Sequence, residues 1–391
     1  MSASSMLNIN RHTILYICMI VVALASCRGG NNVSSVKEGG DTLQLKYATL
    51  LTIVDYDGYS VATIRNPWKP DKTLHKYVLI PKEEEREERR EMEVESDATV
   101  IYTPIERAAV FTTVHCALLQ DFGREGSIVG VADSKYIKIP YIHEQIKQGK
   151  IVDCGNGLNP VVEKIMDIKP AAILLSPFEN SGGYGKVEDI NIPIVECAEY
   201  MEKSPLARAE WMKFYGRLFG AQEQADSLFA IVDSSYHALK ARAQQAGEGR
   251  SVLMDKMVGN VWYVPGGQST IGQMLQDAGG RYPWATDDQS GSLSLAFETV
   301  LERGGECDVW LFRYSSDHPM TLRELAAEHR GYDQLQAFRS GEVYGCNVEQ
   351  SLFYEETPFR PDILLAELLQ ILHPDITNLP PLRYYKKIGG E

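Results

Sequence analysis

The sequence predicts an α/β protein of two lobes joined by one long helix, with a ligand cleft between the lobes and a small β-rich section in front. Three observations carry this. From residue 100 onward, short apolar runs alternate with helical segments, the pattern of a parallel sheet covered by helices. Residues 221–246 contain no Gly or Pro; as a helix they would span roughly 39 Å, enough to cross a domain. The strand and helix alternation then restarts at residue 251. At about 100–200 residues per domain, a chain of this length holds two or three domains.

Composition excludes several classes. The chain has 391 residues, 44% hydrophobic and 24% charged, which are globular values. With 39 Lys+Arg against 53 Asp+Glu, its net charge is −14. That argues against nucleic-acid binding and against a polybasic membrane patch. Seven cysteines without a CxxC pair are too few for a disulfide scaffold and lack zinc-knuckle spacing.

The first segment is a targeting signal rather than fold. Arg11 and His12 precede an apolar run over 14–24, too short to span a membrane, which needs about 20 residues. It ends Leu24-Ala25-Ser26-Cys27. This resembles a bacterial lipobox, in which the Cys is lipidated and begins the mature chain, so Cys27 is the expected lipidation site. The alternative is a plain secretory signal or a short anchor. Residues 28–42 are rich in Gly, Asn and Ser and read as a flexible tether.

Residues 47–54 and 59–64 read as strands flanking Asp57-Gly58, a hairpin signal. Residues 74–80 form a third candidate. Residues 82–91 are almost purely charged and read as a solvated loop or exposed helix. In the first lobe, strands are expected at 108–113, 127–131, 171–175 and 192–195. Helices are expected at 115–122 and 160–168, with Pro160 at the start of the latter. Ser204-Pro205 is a helix start, with Ser as N-cap, and Gly216 and Gly220 are expected to break that helix. In the second lobe, strands are expected at 251–255, 261–264, 309–312 and 343–344, and helices at 271–278 and 360–372. The expected organisation is a signal peptide (1–26), tether (27–42), β-rich leader (43–100), first α/β lobe (101–203), helical linker (204–248) and second α/β lobe (249–378).

Enzyme signatures are missing. There is no phosphate-binding P-loop, no Gly-x-Ser-x-Gly elbow and no His-Glu-x-x-His. Gly155-Asn156-Gly157 lacks the third glycine of a dinucleotide fingerprint.

Four local patterns remain: Val129-Gly130-Val131-Ala132-Asp133-Ser134; the stretch from Asp153-Cys154-Gly155-Asn156-Gly157 through Glu163 to Lys169-Pro170; Val264-Pro265-Gly266-Gly267-Gln268-Ser269-Thr270; and Ser294-Leu295-Ala296-Phe297-Glu298. In this order, over residues 100–373, they resemble the solute-binding lipoproteins of iron-siderophore, haem and cobalamin ABC importers. The resemblance implies two Rossmann-like lobes on a rigid helical link and a transported ligand containing iron or cobalt. It implies no cofactor of the protein's own and no catalysis. The implied partners are an ABC importer permease homodimer, a metal-chelate ligand and, through the lipid, the extracytoplasmic or periplasmic face of a bacterial membrane. In this family one Glu on each lobe pairs with an Arg of each permease subunit; the matching positions here are Glu163 and Glu298. Both also start helices, where an acid favours the dipole. Residues 43–100 depart from the family pattern.

In open α/β sheets ligands sit beyond the carboxyl ends of the strands. That rule selects His115, Ser134, Tyr136, Asn156, Asn159 and Phe178 in the first lobe. In the second it selects Trp262, Tyr263, Gln268, Arg313, Tyr354 and Arg360. The set is aromatic, suiting a planar chelate. Arg313 or Arg360 would pair with a ligand acid, and His115 is a candidate ligand to the iron or cobalt, its alternative being a backbone-bonded helix-start residue. The cysteines beyond Cys18 and Cys27 read as small buried residues, with one disulfide allowed in an oxidising compartment; the alternative is a thiol metal site drawn from Cys116, Cys154, Cys197 and Cys346, which fall near expected strand ends. The reading is a lipid-anchored binding protein that delivers a metal chelate to a permease. Its rivals are a permease-independent haem or corrinoid scavenger and an enzyme on the same bilobal fold.

Overall fold

The computed structural model describes residues 39–82, 97–179 and 183–389. The signal segment, Cys27, most of the tether and the charged run beyond Lys82 lie outside them. From Asp41 the chain forms one unit that holds three main sheets. Among the described residues no helix is long and apolar enough to cross a membrane.

The leader is a five-stranded sheet. Leu51–Tyr56 and Tyr59–Arg65 pair antiparallel across the Asp57-Gly58 turn, followed by Thr73–Pro81. The fifth strand, Thr99–Thr103, runs parallel to Thr73–Pro81 and extends past residue 100. The stretch before Leu51 is fastened to the end of the first lobe and the start of the linker by two buried carboxylates. Glu210, fully buried, accepts the N–H groups of Lys46, Tyr47 and Ala48 at 2.7–2.9 Å. Glu202 accepts those of Thr49 and Leu50 at 2.9 Å, together with the Trp211 indole N–H. Charge-assisted bonds of this kind are among the stronger ones.

The first-lobe sheet is wholly parallel, in the order Ile194–Glu196, Ala172–Leu175, Ala108–Val110, Ile128–Val131, Val152–Asp153. Ile128–Val131 and Ala172–Leu175 are buried at every position, as expected of strands covered on both faces. Ala108, Val110 and Leu174 join the main core, while Ala109, Ile173 and Leu175 pack in a smaller one on the opposite face. Pro160 does not start a helix. It sits in a short antiparallel pairing of Asn159–Pro160 with Gly155–Asn156, and the helix is Val162–Ile168.

Ser204 caps the helix Pro205–Glu210 by accepting the Ala207 N–H. A second helix, Met212–Phe219, follows directly. Gly216 lies inside it rather than breaking it: a Cβ there would stand 2.6 Å from that of Ala225, so the residue permits close contact with the next helix. Gly220 does end the helix, at φ 62°. Gln222–Ala246 is a single helix of 25 residues and packs on both Met212–Phe219 and the terminal helix Pro361–Leu372.

The second lobe is only partly parallel. Val252–Met254, Val309–Tyr314 and Val343–Asn347 are parallel neighbours, and Tyr385–Lys387 closes the edge antiparallel. A separate antiparallel sheet holds Met257–Val258, Val261–Pro265 and Ser292–Leu295.

Candidate functional site

At the carboxyl ends of the first-lobe strands lies a cavity of about 590 Å³. Phe111 and Thr112 follow the strand Ala108–Val110. Asp133 follows Ile128–Val131. Phe178 follows Ala172–Leu175, and Tyr200 lies beyond Ile194–Glu196. Tyr184 and Lys186 complete the wall, Lys186 being the one cation that lines it among the described residues.

Short hydrogen bonds shape this wall. Tyr184 donates its hydroxyl to Glu196 at 2.6 Å. Burial, then the Glu196 charge, push that phenol well above its usual range, so it stays a neutral donor. Tyr200 donates to the carbonyl of Pro177. Asp133 takes φ 50° and accepts the Gly157 N–H at 2.8 Å. Asp153 accepts the Gly155 N–H at 2.8 Å and the Ser134 hydroxyl. These bonds hold the 153–160 hairpin at the rim, with Leu158 at its exposed tip.

Of the first-lobe residues selected from sequence, Asn159 and Phe178 line the cavity, and Phe178 is 47% exposed. Ser134 and Tyr136 lie in the adjoining turn; Tyr136 is exposed beneath the Lys135 ammonium. Asn156 is engaged in its own turn, accepting the Leu158 N–H at 2.9 Å. His115 is not on the wall. It is 1% exposed, hydrogen-bonded to the Thr112 hydroxyl and packed against Tyr215 and Phe359.

The second-lobe residues meet different fates. Trp262 is wholly buried among Phe297, Trp310 and Tyr332, and its indole N–H donates to the Met254 carbonyl at 2.9 Å. It is core, not cleft wall. Tyr263, its neighbour on the strand, points out and is exposed, and Gln268 is exposed as well. Gly266 and Gly267 serve a backbone crossing: a Cβ on Gly267 would lie 2.4–2.7 Å from three carbonyls of the 284–287 loop.

Both arginines have internal partners. Arg313 grips Asp255 with two bonds of 3.0 and 2.7 Å and lies about 6 Å from the rings of Phe353 and Tyr354. Arg360 grips Asp362 with two bonds of 3.0 Å. Tyr354 is exposed, but its neighbour Glu355 is buried against the first lobe, accepting the Thr113 hydroxyl at 3.1 Å and the Lys138 N–H at 3.0 Å. The 347–360 segment therefore clasps the lobes together. Cys116, Cys154, Cys197, Cys307 and Cys346 are buried free thiols, so no disulfide forms among the described residues.

Sequence reasoning did not select Phe111, Tyr184 or Lys186. Phe111 falls inside the strand expected over 108–113, which ends at Val110, while Tyr184 and Lys186 lie farther along the loop past Ala172–Leu175 than the strand-end rule reaches.

Glu163 and Glu298 occupy matched places. Each lies in the first turn of a helix, Val162–Ile168 and Phe297–Gly304, directly after a short antiparallel strand. Both are exposed, and neither side chain makes an ion pair or hydrogen bond among the described residues.

Comparison with known proteins decides the class. The periplasmic binding protein family model matches residues 109–349. The chain belongs to the periplasmic binding protein family. Binding without catalysis is what such proteins do, and this one is a substrate-binding protein, not an enzyme. An uncharacterised lipoprotein of Methanocaldococcus jannaschii is 25% identical over 375 residues, 91% of this chain and 88% of its own. A periplasmic heme binding protein from Pseudomonas aeruginosa shares the fold with a TM-score of 0.56 at 14% identity, over 73% of this chain and 98% of that one. An ABC-type Fe3+-hydroxamate transport protein from Saccharomonospora viridis gives 0.53 at 20% identity, over 68% and 93%.

Proposed function

We propose that this protein is a lipid-anchored carrier that captures an iron or cobalt chelate and passes it to an ABC importer permease. The supporting observation is the first-lobe cavity. Its 590 Å³ falls within the roughly 300–1,000 Å³ usual for small-molecule sites. Phe111, Phe178, Tyr184 and Tyr200 give it an aromatic lining that suits a conjugated ligand, and Lys186 offers a charge to a propionate or hydroxamate. Relatives of this fold whose names record heme or Fe3+-hydroxamate as ligand make the same class the first to test. The lipoprotein relatives and the Leu24-Ala25-Ser26-Cys27 sequence support an anchor at Cys27 and an envelope location.

Delivery rests on Glu163 and Glu298. A two-fold permease presents two equivalent basic sites, and two unpaired exposed acids on corresponding helix starts suit them. Such charges set orientation and on-rate more than affinity.

Titration of the protein with haemin, cobalamin and a ferric hydroxamate, read by absorbance, tests the ligand class. Saturable binding of one supports the reading; binding of none overturns it. Glu163→Ala with Glu298→Ala should leave ligand affinity unchanged and abolish uptake in cells. Normal uptake by the double variant would refute the docking role.

A further inference from the structure

Next to the cavity, where Thr112 and Tyr200 line it, is a cluster that ligand capture does not use. His115 stands in the first turn of the helix Thr113–Asp121, just past the strand Ala108–Val110. Cys197 and Glu199 follow the strand Ile194–Glu196. All three are buried, and one nitrogen, one sulfur and one carboxylate oxygen lie within 4.8 Å of one another.

We propose that His115, Cys197 and Glu199 form a site for a divalent transition-metal ion, with zinc the best fit. Nitrogen, thiolate and carboxylate on three protein side chains are donors this borderline-soft ion accepts. Independent support comes from His115 Nε2, which is buried and has no hydrogen-bond partner. It faces Glu199 Oε2 at 3.7 Å, too far for a hydrogen bond. The Thr112 hydroxyl occupies the other ring nitrogen. When the Thr112 hydroxyl accepts from Nδ1, Nε2 presents a lone pair to the carboxylate, and two acceptors face each other out of water. A cation between the two relieves it directly. A polar partner on the far nitrogen is also how ligating histidines are oriented.

Binding is proton-balanced. Cys197 is a buried free thiol. As the sulfur–metal bond forms, the S–H bond breaks and one proton leaves for solvent. Arg208 approaches Glu199 from the other side at 3.9 Å, and Tyr215 donates its hydroxyl to Glu199 at 2.8 Å. His115 and Tyr215 both pack on Phe359 of the second lobe. The ion would therefore tie two strand ends of the first lobe together where the linker and second lobe pack on them through Tyr215 and Phe359.

The test uses the full, untagged chain, refolded with Zn2+ or with Co2+ and dialysed. The expected results are about one zinc per chain, a thiolate-to-cobalt charge-transfer band, and a melting midpoint raised by zinc. Cys197→Ser should abolish the band, and Thr112→Val, which removes only the hydroxyl on His115 Nδ1, should weaken zinc affinity about 10–100-fold. A folded wild-type chain without metal, a cobalt spectrum lacking the thiolate band, or a band that survives Cys197→Ser would each overturn the proposal. Chelate titration is read separately, so its failure would leave this result standing.

Discussion

The carboxyl ends of the two parallel sheets have the same topological address and opposite character. In the first lobe the residues past the strands diverge, leaving a cavity walled by Phe111, Phe178 and Tyr200. In the second lobe they turn on one another: Arg313 holds Asp255 and Arg360 holds Asp362, while Trp262 of the neighbouring antiparallel sheet is packed away. The difference teaches that a strand end is a place where a ligand can sit, and that neighbouring side chains decide whether it does. The second lobe uses its strand ends for cohesion, including the Glu355 clasp onto the first lobe.

The sharpest way to break this contrast is Trp262→Ala. As a core residue it should lose about 3–5 kcal/mol of stability, measured by urea unfolding, while ligand affinity of the folded fraction stays the same. A weakened affinity with little loss of stability would return Trp262 to the cleft. Next is Glu355→Ala, which leaves the Lys138 N–H without its acceptor and should cost about 1–3 kcal/mol. Faster hydrogen exchange at Lys138 should accompany it, and Glu355→Gln should restore much of both. Phe178→Ala probes the other side: stability within about 0.5 kcal/mol of wild type, with clearly weaker chelate binding by titration.

The smallest effect concerns acid. Burial alone would raise the Asp308 carboxyl, but bonds from the Ser251 hydroxyl and N–H and the charges of Arg281 and Arg250 outweigh it and hold the group below its ordinary value. Its contribution is therefore complete above the ordinary carboxylate range and fades as pH falls through the lowered value. Asp308→Asn should flatten the acid limb of a stability-versus-pH curve between those two points.

Much of the fold is legible in sequence because its signals are local. Ala172–Leu175 is uniformly apolar, Ser204-Pro205 carries its own cap, and Asp57-Gly58 marks a hairpin between two alternating runs. What escapes is long-range. Asp255, the partner that removes Arg313 from the cleft, lies 58 residues away, and no spacing rule connects them. Gly216 reads as a breaker until the helix it meets is known. Trp262 is a middle case. The alternation along Val261–Pro265 turns Trp262 and Val264 inward and Tyr263 outward, so the strand's period corrects what its address suggested.

The five consecutive amides that Glu210 and Glu202 grip, from Lys46 to Leu50, have a mechanical consequence. Any pull carried along the chain ahead of Lys46 first meets the pairing of Asp41–Thr42 with the leader sheet and then these amides, so it passes to the junction of the first lobe and the linker, where Glu202 and Glu210 stand. The load there is shared among five amides rather than carried by one.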